Sequence, residues 1–323
     1  MTPAARFSYV FIAAIFVLAA ATHLATPLVA VLFSYFALRK LRFSPNKWLS
    51  LAVFLVLIAV ILYGIGLFVT QAVVALPKIA AESIPPLIDF AQKHGFQLPF
   101  SDLDSLKATT ADVAKDEFLF VGNFARAATR QLVFVVVAIV VAMSLFVRSE
   151  HHSPVQGADS NLFTALAGEI RIRFRLFYES FERVMGAQII ISSINTVLTA
   201  IFVAVIGLKY LPLIVGLTFL CGLLPIIGNL ISNSVIVGIA FTSSPRAAIA
   251  ALVFLVLLHK LEYFLNSKII GYRIKNPMWL TLLALVIGER FMGIPGMILA
   301  PVVLDYVKVE TSRLPAPRSS EEQ

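Results

Sequence analysis

Residues 48–74 read WLSLAVFLVLIAVILYGIGLFVTQAVV, a run of 27 residues without a charged side chain. A helix needs about 20 apolar residues to cross about 30 Å of hydrocarbon, so this run predicts one transmembrane helix. The rest of the chain has the same character. Of its 323 residues, 59% are hydrophobic and only 14% are charged, whereas soluble globular proteins carry about 25% charged residues. The sequence therefore predicts an all-α integral membrane protein.

Three more stretches, at residues 131–147, 186–207 and 247–261, each predict one further crossing. Three longer apolar stretches are interrupted, and each predicts either one long tilted helix or two short helices in a hairpin or re-entrant pair. They are residues 7–38, broken at 22–23 and 26–27, residues 212–242, broken at 225–228, and residues 277–307, broken at 288–290 and 293–296. The pattern predicts a polytopic bundle of about eight transmembrane helices, with Gly/Pro-broken or re-entrant segments in the C-terminal half.

Basic residues in short loops set the expected orientation. They form two clusters: Arg39, Lys40, Arg42 and Lys47, and Lys260, Lys268, Arg273 and Lys275. Lys and Arg in short loops mark the cytoplasmic side of a membrane. Both clusters are cytoplasmic only if residues 7–38 and 212–242 each cross twice, so we expect hairpins there and both termini in the cytoplasm. This pattern explains the net charge of +8 through topology, and no nucleic-acid partner is expected.

Two segments are too polar to cross a bilayer. Residues 76–130 mix six basic and seven acidic residues with four prolines, and we expect short amphipathic helices on the outer face. In residues 161–184, apolar side chains recur at steps of three or four, which predicts one apolar helical face with arginines off it. Such a helix lies in the inner headgroup plane or packs against a neighbouring subunit.

The resulting organisation has six parts. They are a transmembrane hairpin plus a third span (1–75), an extracytoplasmic helical segment (76–130), a transmembrane span (131–147), a cytoplasmic amphipathic helix (148–185), a transmembrane region with broken helices (186–307) and a disordered cytoplasmic tail (308–323).

Signatures of catalysis are missing from the sequence. No lysine follows a glycine, so there is no phosphate-binding P-loop, and no H-E-x-x-H or G-x-S-x-G motif occurs. The single cysteine, Cys221, cannot form a disulfide within one chain. We expect a protein that is not an enzyme and that uses no cofactor or metal.

Polar residues inside apolar stretches are the candidate functional groups. Gln188, Ser192, Asn195 and Thr199 share one face of a predicted span, where they either hydrogen-bond to neighbouring helices or line a pore. His259, Lys260 and Glu262 end another span, where long side chains can reach water. Glu289 and Arg290 interrupt the terminal stretch, which favours mutual pairing or a role in gating or proton coupling.

The two broken segments give the strongest local signal. A break frees backbone groups that lipid cannot satisfy, so it persists only inside protein or beside a water-filled cavity. Paired breaks of this kind point to the substrate path of secondary transporters. The hypothetical transport path therefore comprises Gln188, Asn195, Pro225, Gly228, Asn229, Glu289, Arg290, Gly293 and Gly296. We expect bulky residues at Gly228 and Gly296 to fill a passage while the fold stays intact.

Several of these motifs resemble the autoinducer-2 exporter family of bacterial permease-like proteins. The residues that carry the resemblance are GAQ at 186–188, Gly207, Gly216, LLPIIG at 223–228, NSKIIG at 266–271, GIPG at 293–296 and Ala300-Pro301. The layout of spans agrees along nearly the whole chain.

The resemblance implies about eight transmembrane helices, a homo-oligomer, and export of the signal autoinducer-2 or sodium or lithium/proton antiport. The sequence thus favours a bacterial inner-membrane transporter or exporter of a small polar solute, with the lipid bilayer and a solute or ion as partners. A monovalent cation/proton antiporter, with Glu289 as its carboxylate, is the alternative within transport. A membrane scaffold, whose amphipathic helix recruits partners, is the alternative outside it.

Overall fold

The computed structural model describes residues 2–43, 46–93, 131–148, 161–224, 227–270 and 277–313. These residues form nine α-helices: α1 (Pro3–Ala21), α2 (Ala25–Lys40), α3 (Lys47–Lys93), α4 (Gln131–Arg148), α5 (Leu162–Ile206), α6 (Leu211–Gly222), α7 (Ile227–Ser243), α8 (Pro245–Ile270) and α9 (Met278–Thr311). Helices α1, α3, α4, α5, α8 and α9 are each long and apolar enough to cross a membrane. No strand occurs in the described ranges, and the all-α polytopic membrane fold is confirmed.

The chain divides into two compact units. The first contains residues Met1–Leu51, Phe134–Ala187 and Ile269–Gln323, and the second contains Ala52–Val133 and Gln188–Lys268.

The core of the first unit is built from α2, the first half of α5 and the C-terminal part of α9. Phe181 and Met185 of α5 are fully buried and pack with Leu299 and Val302 of α9. The ring of Phe33 meets Phe181 edge to face, with centroids 5.1 Å apart. The second half of the amphipathic segment is therefore covered by this chain's own helices. Its apolar face packs on α2 and α9, and its place at the headgroup plane stays a prediction.

Arginines beside that apolar face reach acids near the end of α9. Arg183 Nε lies 3.2 Å from Asp305 Oδ2, and Arg173 lies 3.2 Å from Glu310 Oε1. Both carboxylates are almost completely buried. The two ion pairs attach the C-terminal part of α9 to α5.

Several helix boundaries differ from those expected. The N-terminal stretch breaks only once, between α1 and α2. Pro27 falls in the first turn of α2, where backbone N–H groups have no acceptor within the helix, so the lack of an N–H in proline does not interrupt it. α3 continues to Lys93, so residues 76–93 extend a helix instead of starting separate short ones. α5 joins the amphipathic segment and the following span without a break at 185–186. α9 includes residues 308–311, which were expected in the disordered tail.

The core of the second unit holds the end of α5 together with α6, α7 and α8. Ile214 of α6, Ile239 and Ala240 of α7 and Ala251 of α8 are fully buried together. Small residues let helix backbones approach closely, which is how helices associate in lipid. This packing fixes the helices that carry most of the polar side chains described next.

Candidate functional site

Helices α6 and α7 form a short hairpin in the second unit. α6 has 12 residues, which span about 18 Å and cannot cross about 30 Å of hydrocarbon. Gly228 of α7 lies against the backbone carbonyl of Cys221, so a Cβ at residue 228 would collide with that carbonyl. The expected break is confirmed, but the length of α6 favours a re-entrant hairpin over two full crossings. Pro225 itself lies outside the described residues.

The hairpin tip is tied to α5 by side chains that satisfy helix-end carbonyls. The last four carbonyl groups of an α-helix have no partner within it. Ser192 Oγ donates to the carbonyl of Phe219 at 2.8 Å, and Gln188 Nε2 donates to that of Gly222 at 2.5 Å. The two carbonyls between them accept from backbone N–H groups of the turn. This half of the polar face of α5 therefore has a structural role, which sequence reasoning left open.

The next turn of α5 helps form a small polar pocket around Glu262 of α8. Asn229 Nδ2 donates to Glu262 Oε2 at 2.5 Å, and Asn195 Nδ2 donates to the same oxygen at 3.5 Å. Thr218 and Ser232 add hydroxyl groups to the wall. The pocket has a volume of about 10 Å³, close to the minimum for one water molecule.

Several oxygen-bearing side chains line this pocket. Besides the carboxylate, Asn195 Oδ1 and Thr218 Oγ1 are buried and have no hydrogen-bond partner in the described part of the chain. Buried polar atoms normally find a partner, and each exception calls for an explanation. A carboxylate, an amide oxygen and a hydroxyl group suit a hydrogen-bond donor or a monovalent cation. The pocket is thus able to bind a small, polar or positively charged group.

Glu262 is the functional candidate that sequence reasoning missed. It was grouped with His259 and Lys260 as a side chain that reaches water at the end of a span. The structure separates them, because Lys260 is exposed while Glu262 is directed at Asn195 and Asn229. The signal was in the spacing: Ala248, Ala251, Leu255 and Leu258 are the buried positions of α8, and Glu262 continues the same steps of three and four.

A second hairpin lies within α9 in the first unit. Gly293 has φ 62° and ψ −147°, outside the helical region, and it divides α9 into two arms. Leu285 of the first arm packs against Met297 and Ala300 of the second. A Cβ on Gly288 would lie 2.5 Å from the carbonyl oxygen of Gly296, so the two arms meet backbone to backbone there. The break that was expected at 293–296 is confirmed.

The structure distributes eight of the nine predicted path residues between the two units, and the ninth, Pro225, lies outside the described residues. Gln188, Asn195, Gly228 and Asn229 belong to the second unit, and Asn195 and Asn229 meet at Glu262. The others, Glu289, Arg290, Gly293 and Gly296, belong to the first. Glu289 and Arg290 are exposed, and within the described ranges they make no ion pair with each other. At Gly228 and Gly296 the space is filled by backbone, so the expectation that bulky residues leave the fold intact is wrong.

Residues 4–314 match the family described as AI-2E family transporter. The chain belongs to this family. A protein of Bacillus subtilis (strain 168) named "Putative transport protein YdbI" is 26% identical over 257 residues, which cover 76% of this chain and 71% of that protein. No solved structure shows a significant match.

Membership in the AI-2E transporter family agrees with a multi-pass membrane protein whose activity belongs to membrane transport. Ligand sites of helical bundles often lie between helices, and the Glu262 pocket is lined by side chains of α5, α6, α7 and α8.

Proposed function

We propose that this AI-2E family transporter is a bacterial inner-membrane secondary transporter that exports a small polar solute, and that the solute passes the Glu262 pocket. The observation that supports this is a carboxylate held by two asparagine amides inside an apolar unit. Ionisable groups among membrane helices are costly and mark solute or ion pathways. A scaffold has no need for such a site.

The size of the pocket suggests how transport proceeds. A volume of about 10 Å³ admits no organic solute, so a larger one requires a second conformation. The α6–α7 hairpin is the element suited to move, because Thr218, Asn229 and Ser232 of the pocket wall lie on its arms. We propose that the hairpin shifts away from α5 and α8 to admit the solute.

Flux into proteoliposomes tests the proposal. Purified protein is assayed with a panel that includes autoinducer-2, other small polar solutes, Na⁺ and Li⁺. A hydrogen bond to a charged group contributes about 1.5–3 kcal/mol, so Glu262→Gln and Asn229→Ala should each lower flux about tenfold or more. Ser193→Ala is the matched control, because that hydroxyl is exposed and bonds only within its own helix. Full flux in Glu262→Gln would remove this pocket from the path.

A cation/proton antiporter is the second candidate. For this function the pocket favours Glu262 over Glu289 as the carboxylate that exchanges a proton for the cation. The water-sized volume and the oxygen atoms without partners fit a monovalent cation that alternates with a proton on Glu262. A Na⁺ gradient should then move protons, measured with a pH dye inside the vesicles, and Glu262→Gln should abolish this movement. Glu289→Gln serves as the control. If no solute on the panel and no ion moves, the scaffold reading is favoured.

We further propose that the protein forms a homo-oligomer with cytoplasmic termini. The two basic clusters motivate the orientation. Many apolar side chains are exposed on α3, α4 and α8, and lipid together with neighbouring subunits would cover them.

A further inference from the structure

A large groove runs between α7 and α8 on the surface of the second unit. Its volume is about 640 Å³, within the range of about 300–1,000 Å³ that is usual for ligand sites. The apolar part of its wall includes Val237 and Phe241 of α7 and Leu252, Leu255 and Val256 of α8, with Leu230 of α7 as a further lining residue. Leu252 and Val256 are more than half exposed. In a membrane protein, a surface of this kind is offered to the hydrocarbon of the bilayer.

One end of the groove is polar and cationic. Asn233 and Ser234 of α7 face His259 and Lys260 of α8 there. Lys260 is exposed and forms no ion pair in the described part of the chain. It precedes the end of the apolar stretch Pro245–Leu265 by five residues, or about 8 Å. A lysine at this depth extends its ammonium group to the headgroup region.

We propose that this groove binds one anionic phospholipid of the surrounding bilayer. An acyl chain lies along the apolar wall from Val256 to Phe241, and the phosphate meets the Lys260 ammonium beside Asn233 and Ser234. The groove is complementary to such a lipid in two ways, because its apolar wall matches the acyl chain and its cationic end matches the anionic headgroup. Basic pockets between transmembrane helices are known to hold anionic lipid headgroups.

The lipid would lie next to the Glu262 pocket. Asn233, Leu255 and His259 line both the groove and the pocket, so they form the partition between the two. A bound headgroup contacts one side of this partition while Glu262 contacts the other. The groove is therefore placed to couple the lipid composition of the membrane to the state of the pocket.

Native mass spectrometry with phosphatidylglycerol and phosphatidylcholine tests the site directly, without any measurement of transport. We expect one phosphatidylglycerol to be retained in preference to phosphatidylcholine. One lysine near an anionic lipid is worth a factor of about five in affinity, so Lys260→Ala should weaken retention about fivefold. Arg246→Ala is the control, because Arg246 is exposed on the same helix but does not line the groove.

A second pair of variants tests the apolar wall. Val253 and Val256 are equally exposed valines of α8, at 56% and 57%, and only Val256 lines the groove. Val256→Trp should fill the groove and displace the lipid, and Val253→Trp should not. Equal retention by the matched variants would overturn the proposal in favour of general annular lipid. A second result would also overturn the proposal. If a transported solute displaces phosphatidylglycerol, and Lys260→Ala retains the lipid as well as the unchanged protein does, the groove is a solute site.

Discussion

The ion pair between Arg183 and Asp305 gives the sharpest test of how α9 is held. The Asp305 side chain is 2% exposed and the Arg183 side chain is 38% exposed, with Nε and Oδ2 3.2 Å apart. The second oxygen of Asp305 is buried and has no hydrogen-bond partner among the described residues. Replacing Arg183 with methionine keeps most of the side-chain volume and leaves a buried carboxylate without its counter-charge.

Removing one partner of a buried ion pair costs about 3–5 kcal/mol. Arg183 is partly exposed, and solvent screens its half of the interaction. We therefore expect Arg183→Met to lower the free energy of unfolding by about 2–3 kcal/mol, somewhat below that range. Replacing both partners, as Arg183→Met with Asp305→Leu, should recover most of this loss, because an apolar pair of similar volume needs no counter-charge.

The unfolding free energies can be measured from the SDS-induced transition in mixed micelles, as a double-mutant cycle. Arg175→Met is the control on the same helix. The Arg175–Glu179 pair is 2.9 Å long, but its side chains are 79% and 40% exposed, so its loss should cost under about 0.5 kcal/mol. If Arg183→Met costs no more than Arg175→Met, the pair does not attach α9 to α5. A double variant less stable than Arg183→Met alone would equally contradict the reasoning.

Three other predictions follow from the packing. Gly228→Ala should lower the free energy of unfolding by about 1–3 kcal/mol, because the added Cβ meets a backbone carbonyl that cannot rotate away. Gly64→Ala is the control in the same SDS titration and should be neutral or stabilising, because the space around Gly64 is open. Phe177→Glu should prevent assembly of a stable fold, because that ring is 4% exposed, whereas Phe174→Glu, at 43%, should be tolerated; yield after detergent extraction and size-exclusion profiles distinguish the two. A cysteine at Ser101, in a chain whose native cysteine is replaced, should react with an impermeant reagent in intact cells, and protection there would reverse the predicted orientation.

The fold class could be predicted from the sequence because lipid imposes a simple rule. A span must be apolar over its whole length and must satisfy its own backbone, and residues 48–74 show this without ambiguity. The breaks at 225–228 and 293–296 were visible for the same reason, since glycine and proline interrupt an apolar run. What the sequence did not reveal is how closely the two arms of each break pack, because the contact of Gly228 with the Cys221 backbone, or of Gly296 with that of Gly288, is a tertiary contact.

The candidate site could be predicted only in part. Asn195 was named from the polar face of its span and Asn229 as part of the path at the broken segments, and both reach the pocket. Glu262 was assigned to the end of a span because its neighbours His259 and Lys260 are hydrophilic. Glu289 was preferred since it interrupts an apolar stretch, yet it is exposed. A charge at the end of a span does not tell whether its side chain turns to water or into the helix bundle. The helical face on which the carboxylate lies is the better guide.

The polar face of α5 connects the hairpin to the pocket in a way that constrains the mechanism. Gln188 and Ser192 hold carbonyls at the end of α6, and Asn195, one turn further along, holds Glu262. A hairpin shift that opens the pocket must release the two carbonyl contacts, at about 0.5–1.5 kcal/mol each. In the proposed open state the freed carbonyls and the freed Gln188 amide need new hydrogen-bond partners, which a polar solute can supply. Release of the hairpin and binding of the solute would therefore use the same groups, and occupancy of the pocket would favour the open hairpin by the free energy of those bonds.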